Sequence, residues 1–193
     1  HKFAELSRNI MENHILQRIE ALRSKMVSSG FDAVVVTGTD PHSSEYPAPR
    51  WQQVRWLTGF TGEAGDVVVT ASHAGLWTDS RYFIQAAEQL SGTGVELHRT
   101  RQSDSVYIPE FLRREAANLG EDRSYVVAYD GLCMSAAAVD EIRQALLPLG
   151  EDKFELVSVD NLLSPLWTDR PAIPDEPIAV VPDDMTGEST AQK

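Results

Sequence analysis

Apolar residues return every three or four positions in the first part of the chain. Ile15, Leu16, Ile19, Leu22, Met26 and Val27 keep that period. It matches the turn of an α-helix, so the spacing predicts an amphipathic helix over 12–29, closed by Gly30 just past its last turn. The period then shortens. Residues 31–37 form a short run of β formers, read as a buried strand, and 38–50 form a loop rich in Pro, Ser, Asp and Gly. Residues 54–58 fit a strand or a helical turn equally well. Strands are expected at 66–70 and 74–78, joined at Ser72-His73 as a hairpin. A helix capped by Asp79 or Ser80 should run to Leu90, with Ile84, Ala87 and Leu90 on one face. Next come a strand at 95–98, a helix at 106–118 ended by Gly120, a strand at 125–129, a helix at 135–147 capped by Ser135, and a strand at 154–159.

Strands and helices alternate around one hairpin. That order predicts an α/β fold, a mixed β-sheet flanked by helices on both faces. Pro171, Pro174 and Pro177 space out a linker, residues 178–181 begin another strand, and the last residues look like the start of a further helix. At the other end the chain opens His1-Lys2-Phe3. Residues 1–10 are therefore read as an added or upstream extension, with Met11 as the native start.

Composition narrows the function classes. The chain has 193 residues and a formal net charge of −12. Such an acidic surface repels nucleic acid and anionic lipid, so neither is expected as a partner. No apolar run is long enough to cross a membrane and no signal-peptide core is visible, so the protein is read as cytoplasmic. A lone cysteine, Cys133, cannot close an internal disulfide and has no nearby basic residue to favour its thiolate.

Three segments could carry chemistry. Gly59, Gly62 and Gly65 follow a G-x-x-G-x-x-G pattern rather than the dinucleotide G-x-G-x-x-G, and a strand follows them, not a helix. No helix N-terminus is presented to a phosphate, so these glycines are read as a structural turn. Asp40, His42, Glu45 and Tyr46 lie in the loop after the first strand, where α/β proteins place ligand contacts. Their spacing matches neither a metal motif nor a serine elbow. Asp79, Arg81 and Tyr82 open a helix, where Asp79 would cap and Arg81 would pair with a carboxylate. Trp51, flanked by Pro49, Arg50 and Gln52, is expected to be exposed. The carboxylates Asp32, Asp40, Asp66 and Asp79 leave a magnesium nuclease as a rival reading.

The segment 39–46, TDPHSSEY, resembles the TDPHxSEY segment of Xaa-Pro aminopeptidases. Residues 57–65, LTGFTGEAG, are similar to that family's glycine segment, with Glu63 in place of serine. Residues 76–86 resemble its WTDGRYFxQA, with Ser80 in place of glycine, and 166–171, LWTDRP, resemble the WxDRP that closes its first domain. The resemblance implies a creatinase N-terminal domain over 11–165, a fold similar to ribonuclease H, followed over 166–193 by a linker and the start of a second domain. It implies a parent enzyme that removes an N-terminal residue before proline, with two divalent metals, manganese expected, held by two Asp, one His and two Glu in a C-terminal catalytic domain. Those motifs are missing from these residues, so no catalytic or metal-ligating residue is expected in this chain. The resemblance further implies a homodimer, an interface with the catalytic domain, and a cleft faced by Asp40, His42, Glu45 and Tyr46, with Arg81 bracing that loop from beneath. The alternative is a stand-alone α/β binding module with a separate partner.

Overall fold

The computed structural model describes residues 2–120 and 123–193. Helix α1 (Lys2–Ser29) leads into strand β1 (Ala33–Val36), then helix α2 (Gln53–Thr58). Strands β2 (Asp66–Thr70) and β3 (Ala74–Thr78) form the expected hairpin. Helix α3 (Phe83–Gln89), strand β4 (Glu96–Arg99), helix α4 (Ile108–Ala117), strand β5 (Tyr125–Tyr129), helix α5 (Ala136–Leu146) and strand β6 (Phe154–Ser158) follow, and a short helix α6 (Asp183–Thr186) lies near the end.

The six strands make one mixed sheet in the order β4-β3-β2-β1-β5-β6. β2 runs antiparallel to both neighbours, while the β3/β4, β1/β5 and β5/β6 pairs are parallel. Strand pleat divides the core in two. Val34 and Val36 of β1 join Ile15, Ile19, Leu22 and Met26 of α1 on one face. Ala33 and Val35 join Leu112 of α4 and Ile142 of α5 on the other. β1 is buried along its whole length because both faces are covered.

α1 continues without a break through Met11, so Met11 marks no structural boundary. Its buried stripe is narrower than the apolar pattern suggested. Leu16 and Val27 are exposed, and the inward face is Ile15, Ile19, Leu22 and Met26. Gly30 closes the helix with φ +72°, the amide of Phe31 reaching back to the carbonyl of Met26 at 2.9 Å. Residues 53–58 resolve as a helix, ended by Gly59 at φ +78°.

Two other expectations needed correction. α3 begins after Tyr82 with no side-chain cap, because the Asp79 carboxylate is engaged by Arg81 instead. Its buried face is Ala86 and Leu90, and Ile84 points outward. Residues 178–181 form no strand. Ile178 and Val180 are fully exposed, with no sheet edge beside them to pair with. Ser135 caps α5 as expected, accepting from the Ala138 amide.

Candidate functional site

The segments singled out in the sequence meet at one end of the sheet. β1 delivers Gly38 and the 39–50 loop there, beside the start of β2. The amide of Gly38 donates to the Asp66 carboxylate at 2.9 Å. A Cβ on Gly38 would stand 2.5 Å from the carbonyl oxygen of Gly65, so the two loops touch backbone to backbone. Burial pushes the Asp66 carboxyl up, and the Gly38 hydrogen bond only partly offsets this.

Asp40 organises the loop. It is buried, and its Oδ1 accepts from the amides of His42 and Ser44, both at 2.9 Å. Its carbonyl accepts from the Ser43 amide, and Ser43 adopts φ +53°, the one left-handed residue of this turn. Burial pushes the Asp40 carboxyl up, yet the hydrogen bonds from Ser44 and His42 outweigh it and hold it below its ordinary value. His42, Glu45 and Tyr46 stand exposed on this frame, Tyr46 with 73% of its surface free. The loop and the glycine turn line a shared groove of about 230 Å³, with Glu45, Tyr46 and Gln52 on the one hand and Thr61, Gly62 and Glu63 on the other.

Each glycine of that turn has its own reason. Gly59 supplies the left-handed residue that ends α2. A Cβ on Gly62 would overlap the ring of Phe60 and stand 2.8 Å from Cδ1 of Tyr82. Gly65 packs against Leu76 and Phe60. The element that follows this turn is strand β2, not a helix. The turn is pinned to α3 by Thr61, whose hydroxyl accepts from the side-chain amides of Gln85 and Gln89 at 2.9 and 2.8 Å.

Residues 167–171 dock against α2 and the end of the 39–50 loop. Trp167 stacks on Trp56 with ring centres 5.2 Å apart. Arg170 donates to the carbonyl of Arg50 and the hydroxyl of Ser164, and lies over the rings of Trp51 and Trp167. Trp51 is therefore 8% exposed rather than free, covered by the two arginines around it. Arg50 in turn donates to the carbonyl of Pro171 and to Asn161. Sequence reasoning missed Arg50, Asn161, Gln85 and Gln89. Their partners lie far away along the chain, and no local spacing announces such bonds.

Arg81 does not join the loop. Its guanidinium makes a two-pronged pair with Asp79 at 2.9 and 2.8 Å, holding that carboxyl down to about 2. It borders a different hollow, between α1, α2 and α3. The four acids of the nuclease reading do not converge either. Asp32 sits at the opposite end of β1, bound by Arg123 and the Val126 amide, while Asp79 is bound by Arg81. Cys133 is buried beside Gln53, and its thiol is pushed up to about 12, first by burial and then by Asp130.

A six-stranded mixed sheet with helices on both faces, and a loop presented beyond its central strand, defines an α/β domain. Residues 18–166 match the creatinase/prolidase N-terminal domain, and the chain belongs to that family. It is 35% identical over 178 residues to Xaa-Pro aminopeptidase app-1 of Caenorhabditis elegans, covering 92% of this chain and 27% of that protein. The crystal structure of the C. elegans X-prolyl aminopeptidase, a cytosolic enzyme with a di-nuclear active site, superposes with a TM-score of 0.74 at 33% identity, over 92% of this chain and 29% of that one. The N-terminal domain of the cytoplasmic peptidase PepQ from Mycobacterium tuberculosis matches with a TM-score of 0.52 at 25% identity, over 78% of this chain and 98% of that one. The chain thus spans about a quarter of the length of the aminopeptidases it matches. Among its described residues one group of three potential metal-ligating side chains lies together, His73, Glu96 and His98. No helix of the described residues is long and apolar enough to cross a membrane.

Proposed function

We propose that this chain is the N-terminal domain of an Xaa-Pro aminopeptidase, a metallopeptidase that removes the residue before proline, and that it carries no catalytic group itself. Residues 11–165 form the domain, and 166–193 lead into the catalytic part. Two divalent metals, manganese by family resemblance, sit in that part and supply the activated water. This domain contributes a wall of the active-site entrance and part of a homodimer, in a cytoplasmic enzyme acting on peptides with proline in second position.

One observation carries the reading. A buried carboxylate, Asp40, holds a tight turn so that His42, Glu45 and Tyr46 face outward from a fixed frame. Rigid backbone beneath exposed, hydrogen-bonding side chains is what a positioning surface needs, because little ordering entropy is lost on contact. His42 then contacts either the substrate's free end or the catalytic domain. In the full-length enzyme, His42→Ala is expected to reduce kcat/KM roughly fivefold, the loss of one contact worth about 1 kcal/mol. Steady-state kinetics on an Xaa-Pro peptide test it, and unchanged kcat and KM would sink the assignment.

A further inference from the structure

The β2–β3 turn and the edge strand β4 bring together two imidazoles and a carboxylate that no part of the reading above uses. We propose that His73, Glu96 and His98 form a binding site for one divalent cation of the zinc class. The Nε2 atoms of His73 and His98 lie 2.9 Å apart, and His73 Nδ1 lies 3.7 Å from a Glu96 carboxylate oxygen. One ligating atom from each residue falls within 4.8 Å of the others. Tetrahedral zinc with bonds of about 2.0–2.2 Å needs donors roughly 3.3–3.5 Å apart, so small side-chain rotations suffice.

The sequence builds this cluster simply. Glu96 and His98 are two residues apart on β4, so both point to the same face of the sheet. Register places Gly75 opposite Glu96 and Trp77 opposite His98. Gly75 keeps the space clear: a Cβ there would stand 2.6 Å from His73 Nε2 and 2.7 Å from His98 Cδ2. His98 lies flat on Trp77 with ring centres 3.9 Å apart, and His73 packs against Phe111 of α4 at 5.0 Å. Both imidazoles are thereby oriented before any ion arrives, while Glu96 stays largely exposed and open to the solvent.

Without an ion, one Nε2 carries a hydrogen and shares it with the lone pair of the other. A cation takes the place of that hydrogen, which moves to Nδ1 of the ring that held it. Nitrogen donors with one carboxylate favour zinc-class ions over magnesium or calcium, and a fourth position is left for water. Burial lowers the basicity of both rings. For His73 the nearby carboxylates of Glu96 and Glu115 oppose this and Arg23 adds to it; for His98 the neighbouring His73 adds to it and Glu96 opposes it. Imidazole ligates through a neutral ring nitrogen, and the geometry above already turns one nitrogen of each ring toward the other.

Titration of the 193-residue chain with Zn²⁺ by calorimetry is the test, with Co²⁺ absorption reporting ligand geometry. One saturable site is expected, weakened tenfold or more by Glu96→Gln, a surface change that leaves the core intact, and abolished by His98→Gln. In long-range ¹H–¹⁵N spectra of the unmutated chain, Zn²⁺ should shift the ring nitrogens of His73 and His98 and leave His14 and His42 unmoved. Binding that survives both substitutions, shifts centred on His14 or His42, or no saturation below about 1 mM would each overturn the site.

Discussion

Replacing Asp40 with alanine is expected to cost about 3–5 kcal/mol, and to release the 40–46 loop before the rest of the chain unfolds. The amides of His42 and Ser44 both donate to one ionised oxygen, and hydrogen bonds to a charged group are worth about 1.5–3 kcal/mol each. Alanine leaves both amides without a partner in a turn that already holds Ser43 at positive φ. Asp40→Asn keeps the accepting oxygen and should lose only about 1 kcal/mol. The pH dependence separates the two causes. Because the folded carboxyl titrates below its ordinary value, its stabilisation is complete above the unfolded pKa and disappears as pH falls through the folded one. The gap between the unmutated protein and Asp40→Ala should thus be constant from pH 7 to about 4 and narrow below that. Hydrogen exchange at His42 and Ser44 with thermal melts across this range checks it; exchange as slow in Asp40→Ala as in the parent would show that the loop owes its shape to something else.

The second large effect is expected at Gly62. A Cβ there overlaps the ring of Phe60, a fully buried residue in edge-to-face contact with Tyr82 at 5.9 Å. The ring cannot retreat without disturbing Leu76 and α1 across the core, so Gly62→Ala should destabilise by about 1–3 kcal/mol, or lower Tm by roughly 2–12 °C. Phe60→Ala alone should cost about 3–5 kcal/mol through the cavity it leaves. Together the two changes should cost less than their sum, because the added methyl enters the space the ring vacated. A double-mutant cycle by chemical denaturation measures this. Strict additivity would mean that Gly62 is required for its backbone conformation and not for the room it gives Phe60.

These two sites illustrate what the sequence disclosed. Period and punctuation located the helices and strands closely, because burial on two faces of one sheet leaves a plain trace in Val34 to Val36 and Val67 to Val69. The same trace misled where apolar residues face solvent. Leu16, Val27 and Ile84 have the right spacing and lie outside the core, and 178–181 has strand composition but no neighbouring strand. Within the candidate site, the loop and its glycines were visible as local oddities. The bonds that assemble them were not, since Arg50 to Pro171 and Gly38 to Asp66 join residues far apart in sequence. The expected reach of Arg81 failed for a related reason: a carboxylate two residues away outcompetes a distant one, as holding one long side chain to a near partner sacrifices less freedom. His73, Glu96 and His98 went unnoticed because a turn and an edge strand meet only through sheet register.

The stacked indoles of Trp56 and Trp167 give the domain an optical handle. Two transition dipoles about 5 Å apart couple, and coupled indoles yield a paired circular-dichroism band that an isolated indole lacks. Trp56 belongs to α2 and Trp167 to the segment leading out of the domain, so the band is a gauge of whether that segment is seated. Its amplitude can be followed while the rest of the fold stays intact, and Arg170→Ala, which removes the cation lying over Trp167, should diminish it without changing the backbone helix and strand signal. The seating of residues 167–170 against α2 is thereby open to direct spectroscopic observation.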